Sequence, residues 1–79
     1  MKAIVRVMPK PDVLDPEGKA IARALGHLGF AGIGEVRAGK LIELELATAD
    51  AEAARRTAAA MAEALLANAV IESYSVEIA

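Results

Sequence analysis

Between Leu65 and Glu72 the hydrophobic period of the chain changes. A helical apolar row runs out at Asn68, and β-branched Val70 and Ile71 follow within two residues, so a helix must hand over to a strand across a very short corner. Asn tolerates left-handed backbone, and a left-handed stop at Asn68 is the expected way to turn it. Such a corner keeps the last helix close to the sheet that it feeds.

The other elements can be read outward from that corner. Lys2 to Met8 alternates, with Ala3, Val5 and Val7 on one side and Lys2, Ile4, Arg6 and Met8 on the other, the pattern of a strand with one core face. Pro9-Lys10-Pro11 blocks further pairing, and Asp15-Pro16 supplies an N-cap followed by proline at the first helical position. A first helix is expected from there, with Ile21, Ala24, Leu25 and Leu28 as its buried stripe and Gly29 as its stop. Ile33 to Ala38 and Leu41 to Ala47 read as a hairpin turning at Gly39-Lys40, its second arm placing Ile42, Leu44 and Leu46 inward and Glu43 and Glu45 outward. Thr48 or Asp50 can cap a second helix reaching about Ala67, with the stripe Ala54, Ala58, Met61, Ala62 and Leu65. The last strand, Val70 to Ile78, turns Tyr74, Val76 and Ile78 to one face.

The resulting order is strand, helix, strand, strand, helix, strand. This is an α+β class with the βαββαβ ferredoxin-like order, an antiparallel sheet carrying two helices on one face, and residues 1–79 form one domain. Two helices cover only one side of a sheet, so Ile4 and Met8 on the other would mark an interface if exposed together.

Size sharpens that point. A chain of 79 residues hides only ~60% of the surface that its unfolded form exposes. Nineteen of its apolar residues are alanine and only Phe30 and Tyr74 are aromatic, so the core must be thin. With no cysteine and one histidine, neither a disulfide nor a thiolate or histidine metal site can substitute for core, which leaves association with copies of itself or with partners. No run of 18 apolar residues and no signal-like segment occurs, so a cytoplasmic protein is expected. The net charge of −2, with both signs scattered, gives no field for nucleic acid or anionic lipid.

Catalytic equipment is sparse. Gly34 to Lys40 matches the first seven positions of a phosphate-binding loop, but Leu41 stands where a hydroxyl must bind Mg²⁺, and Gly39-Lys40 leads into a strand and not a helix. His27 lies in the last turn of a helix, where its charge suits the dipole, and has no Ser or Cys partner. Glu43 and Glu45 show the alternation of any solvated strand face. Arg37 and Lys40, flanking a turn, are the charges best placed to hold a partner's carboxylate or a phosphate.

Three phrases taken together carry a resemblance: Val13-Leu14-Asp15-Pro16-Glu17-Gly18, Val36-Arg37-Ala38-Gly39-Lys40, and Leu65 to Tyr74 with Leu66, Asn68, Ile71 and Glu72. In length, element order and the placing of these phrases the chain resembles the PurS subunit of phosphoribosylformylglycinamidine (FGAM) synthase. The resemblance implies a small subunit without catalytic residues, cofactor or metal of its own, acting in purine biosynthesis. It would bridge an ATP- and Mg-using synthetase large subunit (PurL) and a glutaminase subunit (PurQ), with homodimers or tetramers formed in part through the sheet. Carried over by position, Arg37, Lys40 and Glu72 are the expected partner-interface residues. Asp15, Pro16, Gly18, Gly39, Leu66, Asn68 and Ile71 are the expected structural ones.

Two other classes share this element order. An ACT-like regulatory domain needs a glycine-rich turn after the first strand, where this chain has Pro9-Lys10-Pro11-Asp12. An RNA-recognition module needs stacking aromatics on its central strands, where this chain has Val5, Val7 and aliphatic residues between Leu41 and Leu46.

Overall fold

The alternation read at the start of the chain becomes the centre of the molecule. The computed structural model describes residues 1–79, and in it β1 (Lys2–Pro9) lies between β2 (Lys40–Glu45) and β3 (Glu72–Ile78), antiparallel to both. Ala3, Val5 and Val7 on β1 are fully buried; Ala3 lies opposite Leu44 and Ile78, Val5 opposite Ile42 and Val76, and Val7 opposite Tyr74 on β3 and Lys40 on β2. The other face is polar and laced by ion pairs, Arg6 to Glu77 at 2.9 Å and Lys2 to Glu43 at 3.2 Å. These exposed pairs contribute little stability. They break up the apolar patch that Ile4 and Met8 would otherwise make, since Arg6 stands between them on the strand.

α2 (Ala51–Met61) begins at Asp50, whose carboxylate accepts the Glu52 N–H at 3.1 Å, while Thr48 supports the cap from outside by accepting the Asp50 N–H at 3.2 Å. Ala54, Ala58 and Ala62 are fully buried, and these small side chains let the helix lie close over β1 and β3. The helix then widens into one π turn, Ala62–Leu66, in which the Ala67 N–H donates to the Ala62 carbonyl at 2.9 Å. The extra residue corrects the expected stripe. Leu65 is rotated outward and is 83% exposed, and Leu66 and Ala67 take the inward places instead. Tyr74 ties β3 to this turn by donating to Glu63 at 2.9 Å.

The α+β class and the order of segments agree with the sequence, but two expectations about that order do not hold. The Gly39-Lys40 hairpin is absent: Lys40–Glu45 pairs with β1, and residues 33–38 join no ladder. The Ala38 N–H is taken by Asp15, and Gly39 lies against the Val7 carbonyl and the Met8 sulfur, so the segment is held to the loop and β1 and not to β2. β3 also starts later than expected, at Glu72, because Val70 and Ile71 complete the corner.

α1 (Pro16–His27) has the expected cap and stop, with Pro16 following Asp15 and Gly29 left-handed at φ 96°. Its packing is the larger surprise. α2 covers β1 and β3, whereas α1 makes no comparable packing with any strand, and Ile21, Ala24 and Leu28 of its stripe are exposed. What packs on α1 is the returning chain, whose Val36 carbonyl lies close against Gly18. The molecule therefore measures 48 × 24 × 15 Å with a radius of gyration of 15.8 Å. A compact chain of this length would have a radius near 12 Å, about a quarter less.

Candidate functional site

The end of β1 is where the chain's special residues converge. Pro9 pairs with Glu72 across the ladder, and the Lys10 N–H donates to the Ile71 carbonyl at 2.9 Å, so the first loop is sewn to the helix-to-strand corner. From that loop the Asp15 carboxylate reaches two separate backbones. One oxygen accepts the Gly18 N–H at 3.0 Å and caps α1, and the other accepts the Ala38 N–H at 2.8 Å. Arg37 completes the brace by donating to the Pro9 carbonyl. The corner closes in the same way: Asn68 accepts the Val70 N–H on Oδ1 at 3.1 Å, its carbonyl accepts the Glu72 N–H at 2.7 Å, and its own N–H donates to Glu72 Oε1 at 2.7 Å. Asn68 does this with a negative φ, so the turn is an Asx-type side-chain turn and not the left-handed stop expected of it.

Two open clefts flank this junction and share Val13, Leu14 and Asp15. One, of about 530 Å³, lies between the loop, Lys19 and Ala22 of α1, and residues 34–36. The other, of about 370 Å³, runs from Pro9 and Pro16 to Ala38, Ile71 and Glu72.

Of the expected interface residues, Arg37 and Glu72 stand on either side of Pro9, and both are bonded to backbone in the braces just described. Lys40 is exposed, and its side chain makes no ion pair. Asp15, Pro16, Gly18, Gly39, Asn68 and Ile71 all lie in or beside the junction, and Leu66 packs against the core under it. Lys2 pairs with Glu43, and His27 lies at the exposed far end of α1. No group of three or more His, Asp or Glu side chains is gathered closely enough to hold a metal ion. The sequence did not reveal the acceptors, the carbonyls of Pro9 and Ile71, since any residue supplies a carbonyl and only the fold selects one.

Electrostatics at the brace follow from the hydrogen bonds. The Gly18 N–H, then the Ala38 N–H, with the Arg37 charge adding to them, hold the Asp15 carboxyl below the usual carboxylate range against a smaller opposing effect of desolvation. A lowered pKa means that the folded protein prefers the ionised form. Its contribution to stability is complete above the ordinary Asp value of about 4 and is lost as the pH falls through the lower folded value. The amide proton of Ala38 should therefore titrate in NMR with a midpoint below that of an unstructured Asp, and a midpoint at or above it would contradict the brace.

Fold and junction together define a class: a small α+β protein in which the conspicuous charged residues brace backbone at one end of a sheet and carry a projecting helix. The chain belongs to the PurS family, as the family model for PurS, phosphoribosylformylglycinamidine (FGAM) synthase, matches residues 2–79. The PurS subunit of Mycobacterium leprae is 48% identical over 75 residues, 95% of this chain and 91% of that one. Among solved structures, Methanocaldococcus jannaschii PurS superposes with a TM-score of 0.86 at 38% identity, covering 96% of this chain and 92% of that one. Thermotoga maritima PurS, described as a subunit of an enzyme of class EC 6.3.5.3, gives 0.86 at 34% identity, covering 96% and 87%. The ACT-like alternative is not the family that the chain matches.

Proposed function

We propose that this chain is the small, non-catalytic subunit of an FGAM synthase complex in purine biosynthesis, and that it holds the large synthetase subunit (PurL) and the glutaminase subunit (PurQ) together so that ammonia passes between their sites. The whole complex would convert formylglycinamide ribonucleotide, glutamine, ATP and water to FGAM, glutamate, ADP and phosphate. ATP and Mg would be used by the large subunit. The chain would act in the cytoplasm as a homodimer or tetramer. The single observation that carries this reading is the family likeness across residues 2–79.

Reconstitution tests it. With the large subunit and the glutaminase present, omitting this chain should remove glutamine-dependent synthesis and leave ammonia-dependent synthesis nearly unchanged. Equal glutamine-dependent rates with and without it would defeat the proposal. Arg37, Lys40 and Glu72 are the residues proposed to face the partners, and Lys40 is the cleanest probe because it holds nothing inside the chain. Lys40→Glu should weaken assembly and glutamine-dependent turnover with thermal stability unchanged. Arg37→Lys keeps the charge but loses the planar fork, so it separates the brace to Pro9 from attraction to a partner. If neither variant alters assembly, this surface is not the one used.

A further inference from the structure

Where the returning chain crosses the end of β1, the fit depends on a missing side chain. Gly39 lies so close over the strand that a Cβ there would run into both the Val7 carbonyl and the Met8 sulfur. The backbone around Gly39 is fixed to the same region: the Ala38 N–H donates to Asp15 at 2.8 Å, Arg37 donates to the Pro9 carbonyl, and Lys40 opens β2 opposite Val7. Met8 is therefore the side chain on which this crossing rests, yet it is not enclosed. It points to the outer face of the sheet with Ile4 and Arg6 and is 36% exposed. One thioether side chain is thus both open to solvent and part of a contact with no spare room.

We propose that Met8 is an oxidation site, and that its conversion to the sulfoxide by a peroxide releases residues 38–40 from the end of β1. A sulfur lone pair attacks one peroxide oxygen, the S–O bond forms as the O–O bond breaks, and the second oxygen departs with both protons as water. The sulfur gives up two electrons and the peroxide takes them, so no further reactant enters. The product is bulkier than the thioether and carries a polar oxygen that needs a donor, where Met8 had offered an apolar contact. The Val7 carbonyl beside it is itself an acceptor and cannot serve. The new oxygen is satisfied by turning to water, which takes the side chain from under Gly39. The bond from Ala38 to Asp15, one residue away, is then the first to open. This latch belongs to the chain by itself, whichever partners surround it.

Met61 is the internal control, since it is 38% exposed but lies on α2, whereas the atoms that crowd Gly39 belong to Met8 and Val7. The full chain treated with hydrogen peroxide should gain one oxygen at Met8, located by peptide mass spectrometry. Hydrogen exchange at the Ala38 amide should then quicken by roughly tenfold or more, while the Val5 amide stays protected. Methionine sulfoxide reductases with a thiol reductant should restore slow exchange. Met8→Leu, which keeps the volume and removes the sulfur, should hold Ala38 protected through the same treatment although Met61 is oxidised. Unchanged Ala38 exchange in a chain oxidised at Met8 would overturn the proposal, as would a Met8 that resists peroxide while Met61 reacts. Equal loss of protection in Met8→Leu would assign the effect to another residue, and equal loss at Val5 would assign it to the whole fold; either result ends the proposal.

Discussion

Ala58→Asp is expected to leave no cooperative unfolding transition at neutral pH. Ala58 is fully buried where α2 crosses the sheet and belongs to the cluster with Ala3, Val5 and Val7. A carboxylate there would either remain charged in apolar surroundings or take up a proton and still lack a hydrogen-bond partner, and either outcome costs several kcal/mol. A chain of 79 residues has a total stability of about 4–12 kcal/mol, and a core this thin places it toward the lower end. The same substitution two residues on, at exposed Ala60, is the control and should cost less than about 1 kcal/mol. Circular dichroism melts of the pair decide the matter. An Ala58→Asp protein melting within a few degrees of the parent would show that α2 does not lie on the sheet as described.

Gly18→Ala and Gly26→Ala should act in opposite directions although both lie in α1. Alanine is ordinarily better than glycine inside a helix by about 0.5–1 kcal/mol. At Gly26 a Cβ meets nothing within 4 Å, so that gain should be realised in full. At Gly18 the Cβ would collide with the Val36 carbonyl and come within 2.7 Å of Asp15 Oδ2. The obstruction is backbone on one side and a carboxylate committed to two N–H groups on the other, so neither can give way without loosening the arm from its base. A net loss of about 1–3 kcal/mol is expected at Gly18, read from chemical denaturation of both variants. If Gly18→Ala stabilises the protein as Gly26→Ala does, residues 36–38 do not press on α1, and the account of the junction fails.

Much of the fold was legible because local chemistry decides it. The strand alternation of Lys2 to Met8, the cap and proline at Asp15-Pro16, the stop at Gly29 and the alanine stripe at Ala54, Ala58 and Ala62 all act within one turn or one strand, and each is found where the sequence placed it. What was misread depended on distant parts of the chain. Ile33–Ala38 has a strand's composition, but the Ala38 amide is claimed by a carboxylate 23 residues away. Leu65 has the right spacing for a core position, but one π turn rotates it out. At the candidate site the sequence singled out Asp15, Arg37, Asn68 and Glu72, without showing which backbone groups each holds: Asp15 the Gly18 and Ala38 amides, Arg37 the Pro9 carbonyl, and Glu72 the Asn68 amide.

The sequence by itself determined the α+β class, the central strand, the start of both helices, the absence of disulfide chemistry and, through three phrases, the family. Only the tertiary structure decided where α1 goes. An amphipathic stripe specifies that a helix must bury one side, and nothing in its period says against what. That choice belongs to the base of the arm, where an Asp15 carboxylate and an Arg37 guanidinium select two backbone partners that no local rule could name and point the stripe away from its own sheet.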